Sequence, residues 1–423
     1  MGRSALARPL PWLAVLVGIV LAGVMTFAYV GAFVDPVGEL ADLPVGIVDL
    51  DQPTEVAGQQ LAVGQQFVGL LTGPGNTGAV EFEVFESRED AVAAIMDNEL
   101  AGALIVPAGL SQQVGAIGTA LGNAPQATIE VIRNPGAGSF QPAVVDAAAA
   151  DAIDGLNAAV SSSIGTALTA AGASIAPASA RAVAVPILQQ PTDIPVLSTS
   201  GGRGLPPLYV AVMTTLTGLV GAIAIHIAVG SVAGRDRLEA LGHELVVRRV
   251  PLGSTARFWQ EAALVGVLAI GSAFVIPWMA IGVLGAQADR PWSTVPICGL
   301  GVLAIGWLTL LCVTAFGVAG EVLVVLITTI FGVPSARGVY PAEALPTFFD
   351  ALGSFLPLRF LTDALRSLFF FEGRSAAGLG TGVAVLWTWA LGSLLLGALA
   401  ARVIGRNEVL DEDGRVALPA APS

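Results

Sequence analysis

Few side chains in this sequence have chemistry beyond packing, and their positions limit what that chemistry is. His226 and His243 are the only histidines. His226 falls at mid-span in an apolar run, where an ionisable group needs a partner or water. It reads either as a neutral ring bonded to a carbonyl of a neighbouring helix or as a station on a proton or substrate path. Asp49-Leu-Asp51 has the oxygen chemistry of half a cation site, although acid pairs after a strand commonly form turns. Glu261 and Glu321 fall at the ends of apolar runs, where a headgroup region would solvate them. Cys298 and Cys312 share one apolar run, about 21 Å apart along a helix, too far for a disulfide, and read as small core residues. All 19 basic residues are Arg and none is Lys. That removes a Walker-A lysine, a Schiff base and a Ser–Lys dyad. The stretch Asp35 to Pro206 contains no His, so a His-dependent hydrolase or His-ligated metal there would need a residue lent by a partner. No catalytic, cofactor-binding or metal-ligating set emerges, and the chain is not expected to be an enzyme.

The elements that position these residues divide sharply by charge. Between Asp35 and Pro206 the chain holds 18 Asp and Glu against four Arg (Arg88, Arg133, Arg181, Arg203), a balance of −14. The remainder is nearly neutral, so the formal net charge of −13 belongs to one block. With a mean hydropathy of +0.77 and 12% charged residues, the whole is no ordinary soluble protein. It reads as a neutral membrane protein carrying an acidic extracytoplasmic domain.

Within the acidic block, short apolar runs alternate with helical patterns. LPVGIVDLDQP from Leu43 reads as a buried strand, and Thr54 to Leu71 as a helix with Thr54 as N-cap. Val80 to Phe85 alternates as a half-buried strand. SREDAVAAIMDNE then opens with Ser87 and Asp90 in capping-box positions. Ala103 to Pro107 and Ala127 to Pro135 read as further strands with a helix between them, and VAVPILQQP as a last strand. The Ala-rich stretch from Pro142 to Ala176 reads as one or two helices that must dock on neighbours. Strands separated by helices predict an α/β domain.

Outside that block the spacing of apolar runs predicts a polytopic α-helical membrane protein of about six spans. Residues 1–34 form a cytoplasmic N-terminus and an uncleaved first span. Residues 35–206 form the α/β domain inserted between spans one and two. Further spans are expected at 207–233, 259–285, 296–316, 320–334 and 376–404, with a tail at 405–423. The 39 apolar residues from Pro296 to Pro334 exceed a bilayer core nearly twofold as one helix, so they must fold back, and FGVAGE at Phe316 to Glu321 is the expected turn. Both termini and the loop 234–258, which carries Arg235, Arg237, Arg248, Arg249 and Arg257, are expected in the cytoplasm. The segment 335–375 carries Arg337, Arg359, Arg366 and Arg374 yet falls outside by the same count. Apolar residues at helical spacing within 345–371 predict two short amphipathic helices lying in the outer interface.

Several stretches carry a resemblance. These are DPVGELADLPVGIVDLDQP, EVFESREDAVAAIMDNELAGALIVPAGLS, GRGLPPLYVAVMTTLTG and FGVPSARGVYPAEALPTFFDALGSFLPLRFLTDALRSL. In this order they resemble the YhgE/Pip (phage infection protein) family within the type-2 ABC transporter permease superfamily. The resemblance implies a permease-like six-span domain whose loop between spans two and three faces a separate ATPase, with Arg248 and Arg249 as candidate contacts. It implies an ABC-type exporter of lipophilic or cell-envelope compounds. A scaffold or receptor with an envelope-binding ectodomain, and half of a proton-driven exporter, are the competing readings; the latter needs buried carboxylates mid-membrane. The partners expected are the lipid bilayer, the ATPase and a second copy of the chain, with no nucleic acid and no cofactor.

Overall fold

The computed structural model describes residues 35–56, 59–73, 79–119, 125–170, 177–233 and 252–406, with parts of 20–32, 239–244 and 409–417. Arg248 and Arg249, the candidate ATPase contacts, lie outside the described residues, as does most of the first apolar run.

The acidic block folds as an α/β unit around one five-stranded sheet. Its strands are β1 (Leu43–Asp49), β2 (Val80–Phe85), β3 (Gly102–Val106), β4 (Ala127–Arg133) and β5 (Ile187–Asp193), in spatial order β2-β1-β3-β4-β5. β1 runs parallel to both β2 and β3, and β4 parallel to β5, while β3 and β4 are antiparallel. All five residues of β3 are buried, as its unbroken apolar run requires of a strand covered on both faces. A Cβ on Gly102 would stand 2.4 Å from the Ile132 carbonyl oxygen, so glycine is needed where β4 approaches most closely.

The helices of this unit are α1 (Val63–Thr72), α2 (Arg88–Met96), α3 (Leu110–Thr119), α4 (Phe140–Ala170) and α5 (Pro177–Ala184). Ser87 caps α2, accepting from the Asp90 amide at 3.1 Å. As far as Ala170 the Ala-rich stretch lies in one helix of 31 residues, whose Val145, Ala149, Ile153, Leu156 and Val160 join the core over the sheet. One expectation fails. Thr54 does not begin a helix; Thr54–Val56 pairs with Gln59–Leu61 as a small antiparallel hairpin, and α1 starts at Val63. The alternating Thr-Glu-Val segment, with two β-formers in three residues, favours extension over helix.

In the remainder, four helices among the described residues are long and apolar enough to cross a membrane: α6 (Pro206–Val232), α7 (Ser254–Pro277, continuing to Val283), α8 (Thr294–Phe316, preceded by the turn Pro291–Ser293) and α12 (Gly380–Gly405, preceded by Ser375–Leu379). α8 is the central helix. In its most apolar window 72% of residues are buried, against 22% for α7 and for α12, as expected of a helix apolar all round. After Phe316 the chain reverses through Gly317, whose φ is 59°, into α9 (Val318–Val325), which extends to Ile330. A Cβ on Gly320 would fall 1.9 Å from the Cys312 carbonyl oxygen, so this hairpin closes only around a glycine. α9 with its extension is about 20 Å long, short of the ~30 Å hydrocarbon thickness.

Trp259 and Trp278 lie on exposed positions of α7. Nineteen residues separate them, about 28 Å along the helix, which matches the spacing of aromatic belts at the two edges of a bilayer core. Between them Val267, Ile270 and Phe274 are exposed, as a lipid-facing stripe must be.

Helices α10 (Thr347–Gly353) and α11 (Pro357–Phe370) form where amphipathic spacing predicts them, but α11 does not lie on a surface with its polar side in water. Twelve of its 14 residues are buried. Leu358, Leu361, Leu365 and Phe369 pack with Leu208, Ala211 and Cys298 of the long helices, while Phe370 and Phe371 pack on Gly136 of the α/β unit. α11 is therefore a platform between the two parts. The arginines of segment 335–375 have local acidic partners: Arg337 pairs with Asp350, Asp363 lies 3.5 Å from Arg359 and 3.6 Å from Arg366, and Arg374 meets Asp97 of the α/β unit at 2.9 Å.

Candidate functional site

Two arrangements in the helical part stand apart from ordinary packing. The first is built around His226. It sits six residues before the end of α6, about 9 Å from Val232, and so in the last third of the helix rather than at its middle. α7 begins at Ser254, earlier than hydropathy alone suggests, and this brings Arg257 into the helix one turn before Glu261. The Arg257 Nε donates to Glu261 Oε1 at 2.6 Å, and His226 Nδ1 lies 3.0 Å from Glu261 Oε2. Arg257 Nη2 donates to the His226 carbonyl at 2.9 Å and lies 3.1 Å from His226 Nε2.

A guanidinium only donates, so His226 Nε2 must accept, and the ring proton belongs on Nδ1, where it donates to Glu261. A neutral His of that tautomer satisfies every contact. A second ring proton would set one donor against another. Glu261, 1% exposed, is thus not solvated by headgroups, contrary to expectation; Arg257 and His226 take the place of water around it. His226 bonds a side chain of α7, and the cluster pins the end of α6 to the start of α7. Glu261 is a buried carboxylate of the kind a proton-driven exporter needs, but both its oxygens are committed to these partners.

The second arrangement is a cavity of about 260 Å³ between α6, the end of α9 and the turn-rich segment before α10. Leu208, Val212, Val333 and Val339 make apolar walls. Tyr29 lines it and donates to the Thr329 carbonyl at 3.1 Å. Thr215 also lines it, and its hydroxyl is buried with no hydrogen-bond partner among the described residues. The helix opposite widens to a π-helical turn at Leu326–Ile330, a geometry that recurs at functional sites. A hollow whose surface is mostly apolar suits the apolar part of a lipophilic molecule.

Neither arrangement extends into the α/β unit. Asp49 and Asp51 are spent on backbone: Asp49 accepts from the Asp51 amide at 3.0 Å, and Asp51 accepts from the Gly64 amide at 3.1 Å and the Ser111 amide at 2.9 Å. The Ser111 hydroxyl also donates to Asp51 and accepts from the Val63 amide. The pair ties the starts of α1 and α3 to the end of β1, which is the turn-forming reading. Among the described residues no group of three or more His, Cys, Asp or Glu could hold a metal ion.

Residues 11–401 match the family described as ABC-2 family transporter protein. The chain belongs to that family. It is therefore a membrane protein of the ABC transporter permease type, a class that usually works with an ATPase partner in a membrane and is not typically enzymatic. No curated protein and no solved structure matches it. In this ABC-2 protein, sequence reasoning found His226 but missed Arg257 and Glu261 as its partners. The spacing of Arg257 and Glu261, four apart at a helix start, was the available signal. The cavity had no sequence signal, because residues about 120 apart make its walls.

Proposed function

We propose that this ABC-2 protein is the permease subunit of an exporter for lipophilic or cell-envelope compounds, of the YhgE/Pip kind, with a separate ATPase as its drive. The mostly apolar cavity between α6 and the end of α9 carries this reading, since it suits part of an amphiphile and nothing strongly charged. The absence of lysine from the sequence supports a separate ATPase, because the chain has no P-loop lysine of its own.

The topology that goes with it has six spans, at 10–34, 207–233, 259–285, 296–316, 320–334 and 376–404, with both termini cytoplasmic and residues 35–206 extracytoplasmic. The Arg374–Asp97 pair and the Ala41 to Glu343 backbone bond of 3.0 Å support putting segment 335–375 on the α/β side. Residues 234–251 and the tail then share the other side, where Arg248 and Arg249 would meet the ATPase. A second copy of the chain would complete the transporter.

Gentle detergent extraction tests the drive. An ATPase should copurify with the parent protein, and Arg248→Glu with Arg249→Glu should release it while the chain stays in the membrane. Charge reversal acts by setting like charges against an acidic docking groove. A parent protein that brings no ATPase with it would replace this reading with that of a non-transporting scaffold.

A further inference from the structure

The intramembrane cavity, at about 260 Å³, is smaller than the ~300–1,000 Å³ usual for whole small-molecule sites, so it accommodates part of an amphiphile rather than all of one. A second apolar hollow lies close by. On the α/β unit a groove of about 700 Å³ runs between α4 and the end of α1. Its floor is Leu40, Leu71 and Val80, and α4 faces it with alanines, among them Ala143 and Ala147, whose short side chains leave the space open. Among the described residues that line it, Asp151 alone is ionisable. At its rim Val37 is 69% exposed and Leu70 51% exposed, in a unit that otherwise carries a balance of −14. A contiguous apolar surface of this kind on a strongly acidic unit marks a binding site.

The two hollows adjoin. Tyr340 lines the cavity, Phe140 lines the groove, and their rings meet edge to face with centroids 5.0 Å apart. Gly138, with φ at 128°, precedes Phe140 and lies against the carbonyls of Gly338 and Val339. The groove also begins at Val37, three residues beyond the end of the first apolar run at Val34. A mostly apolar hollow that starts close in sequence to the first apolar run and lies beside the cavity at its other end matches an alkyl chain and not a peptide or a nucleic acid.

We propose that the groove on the α/β unit is an acyl-chain site, supplied from the intramembrane cavity past the Tyr340–Phe140 pair. Resting on the exporter reading above, this makes the cargo or its carrier a long-chain lipid, and gives the α/β unit the task of receiving the chain as it leaves the bilayer. The aromatic pair separates the two compartments, and its displacement joins them.

The test uses the full-length protein in phosphatidylcholine nanodiscs doped with a phosphatidylcholine bearing a diazirine at its acyl terminus. After irradiation, crosslinks mapped by mass spectrometry should fall both at 208–216 or 326–340 and at 63–82 or 140–155. Ala147→Trp, at an exposed lining position, should abolish labelling of the groove and spare the cavity. Tyr340→Ala should raise groove labelling severalfold, and Tyr340→Phe should match the parent.

Absence of groove labelling in the parent overturns the proposal, as does labelling that Ala147→Trp leaves unchanged. Labelling seen only when a diazirine fatty acid is added to detergent-solubilised protein removes the supply from the membrane, and so overturns it too. If Ala147→Trp instead turns a dimer into a monomer by light scattering, with no lipid label in the parent, a second copy covers the groove. ATPase copurification, unaffected by Ala147→Trp, reports separately on the exporter reading.

Discussion

At the scale of single residues, the His226–Arg257–Glu261 cluster makes a claim that mutation can test. Arg257 and Glu261 form a nearly buried pair, and His226 adds one bond to each. Removing one partner of a buried pair leaves an uncompensated charge, at a cost of about 3–5 kcal/mol. Glu261→Ala should therefore lower the thermal midpoint in detergent sharply. His226→Leu keeps the ion pair and should cost only about 1–3 kcal/mol, the penalty of unsatisfied hydrogen-bonding groups. Arg257→Met combined with Glu261→Met should recover most of what either single change loses, because no charge is left buried. Export retained in a folded His226→Leu protein would agree with a structural His. Loss of export from a protein of parental stability would return it to the mechanism.

Between elements, Glu130 on β4 accepts from Arg88 at the start of α2 through two bonds of 2.8 and 2.9 Å, bridging neighbouring layers of the α/β unit. Bonding to the Arg88 guanidinium holds the Glu130 carboxyl below its ordinary range. A carboxylate depressed on folding contributes stability that is fully present above its usual value of 4.5 and is lost as pH falls through the lower folded value. The parent should thus be more stable than Glu130→Gln at neutral pH, and the two should converge as pH falls through the lowered folded value of Glu130. Because the Arg88 side chain is 38% exposed, screening limits the difference to about 1 kcal/mol. Melting curves of both proteins across this range measure it, and a gap that persists into acid would remove the ion pair as its cause.

For the whole molecule, the test is which side each part faces. In a background lacking Cys298 and Cys312, both buried, single cysteines at Ser139 and Ser375 should react with an impermeant maleimide from outside, since both positions are exposed. Ser254 would be a poor reporter because it is buried, whereas Ala256 two residues later is exposed. Ala256→Cys should label only after permeabilisation. Labelling of Ala256→Cys in intact cells would overturn the six-span arrangement.

The sequence by itself determined what depends on near neighbours along the chain. The partition into an acidic block and apolar runs, the strands at 43–49, 80–85 and 127–133, the Ser87 cap and the reversal at Gly317 all follow from periodicity, capping and glycine conformation within a few residues. Only the tertiary structure decided what depends on how elements are rotated against one another. It brought Glu261 to His226 across 35 positions, set Asp51 on the starts of two helices, and buried α11 where its spacing alone suggested a surface. It also made the cavity and the groove, since an empty space is defined by side chains that pack elsewhere and leaves no pattern in any one stretch.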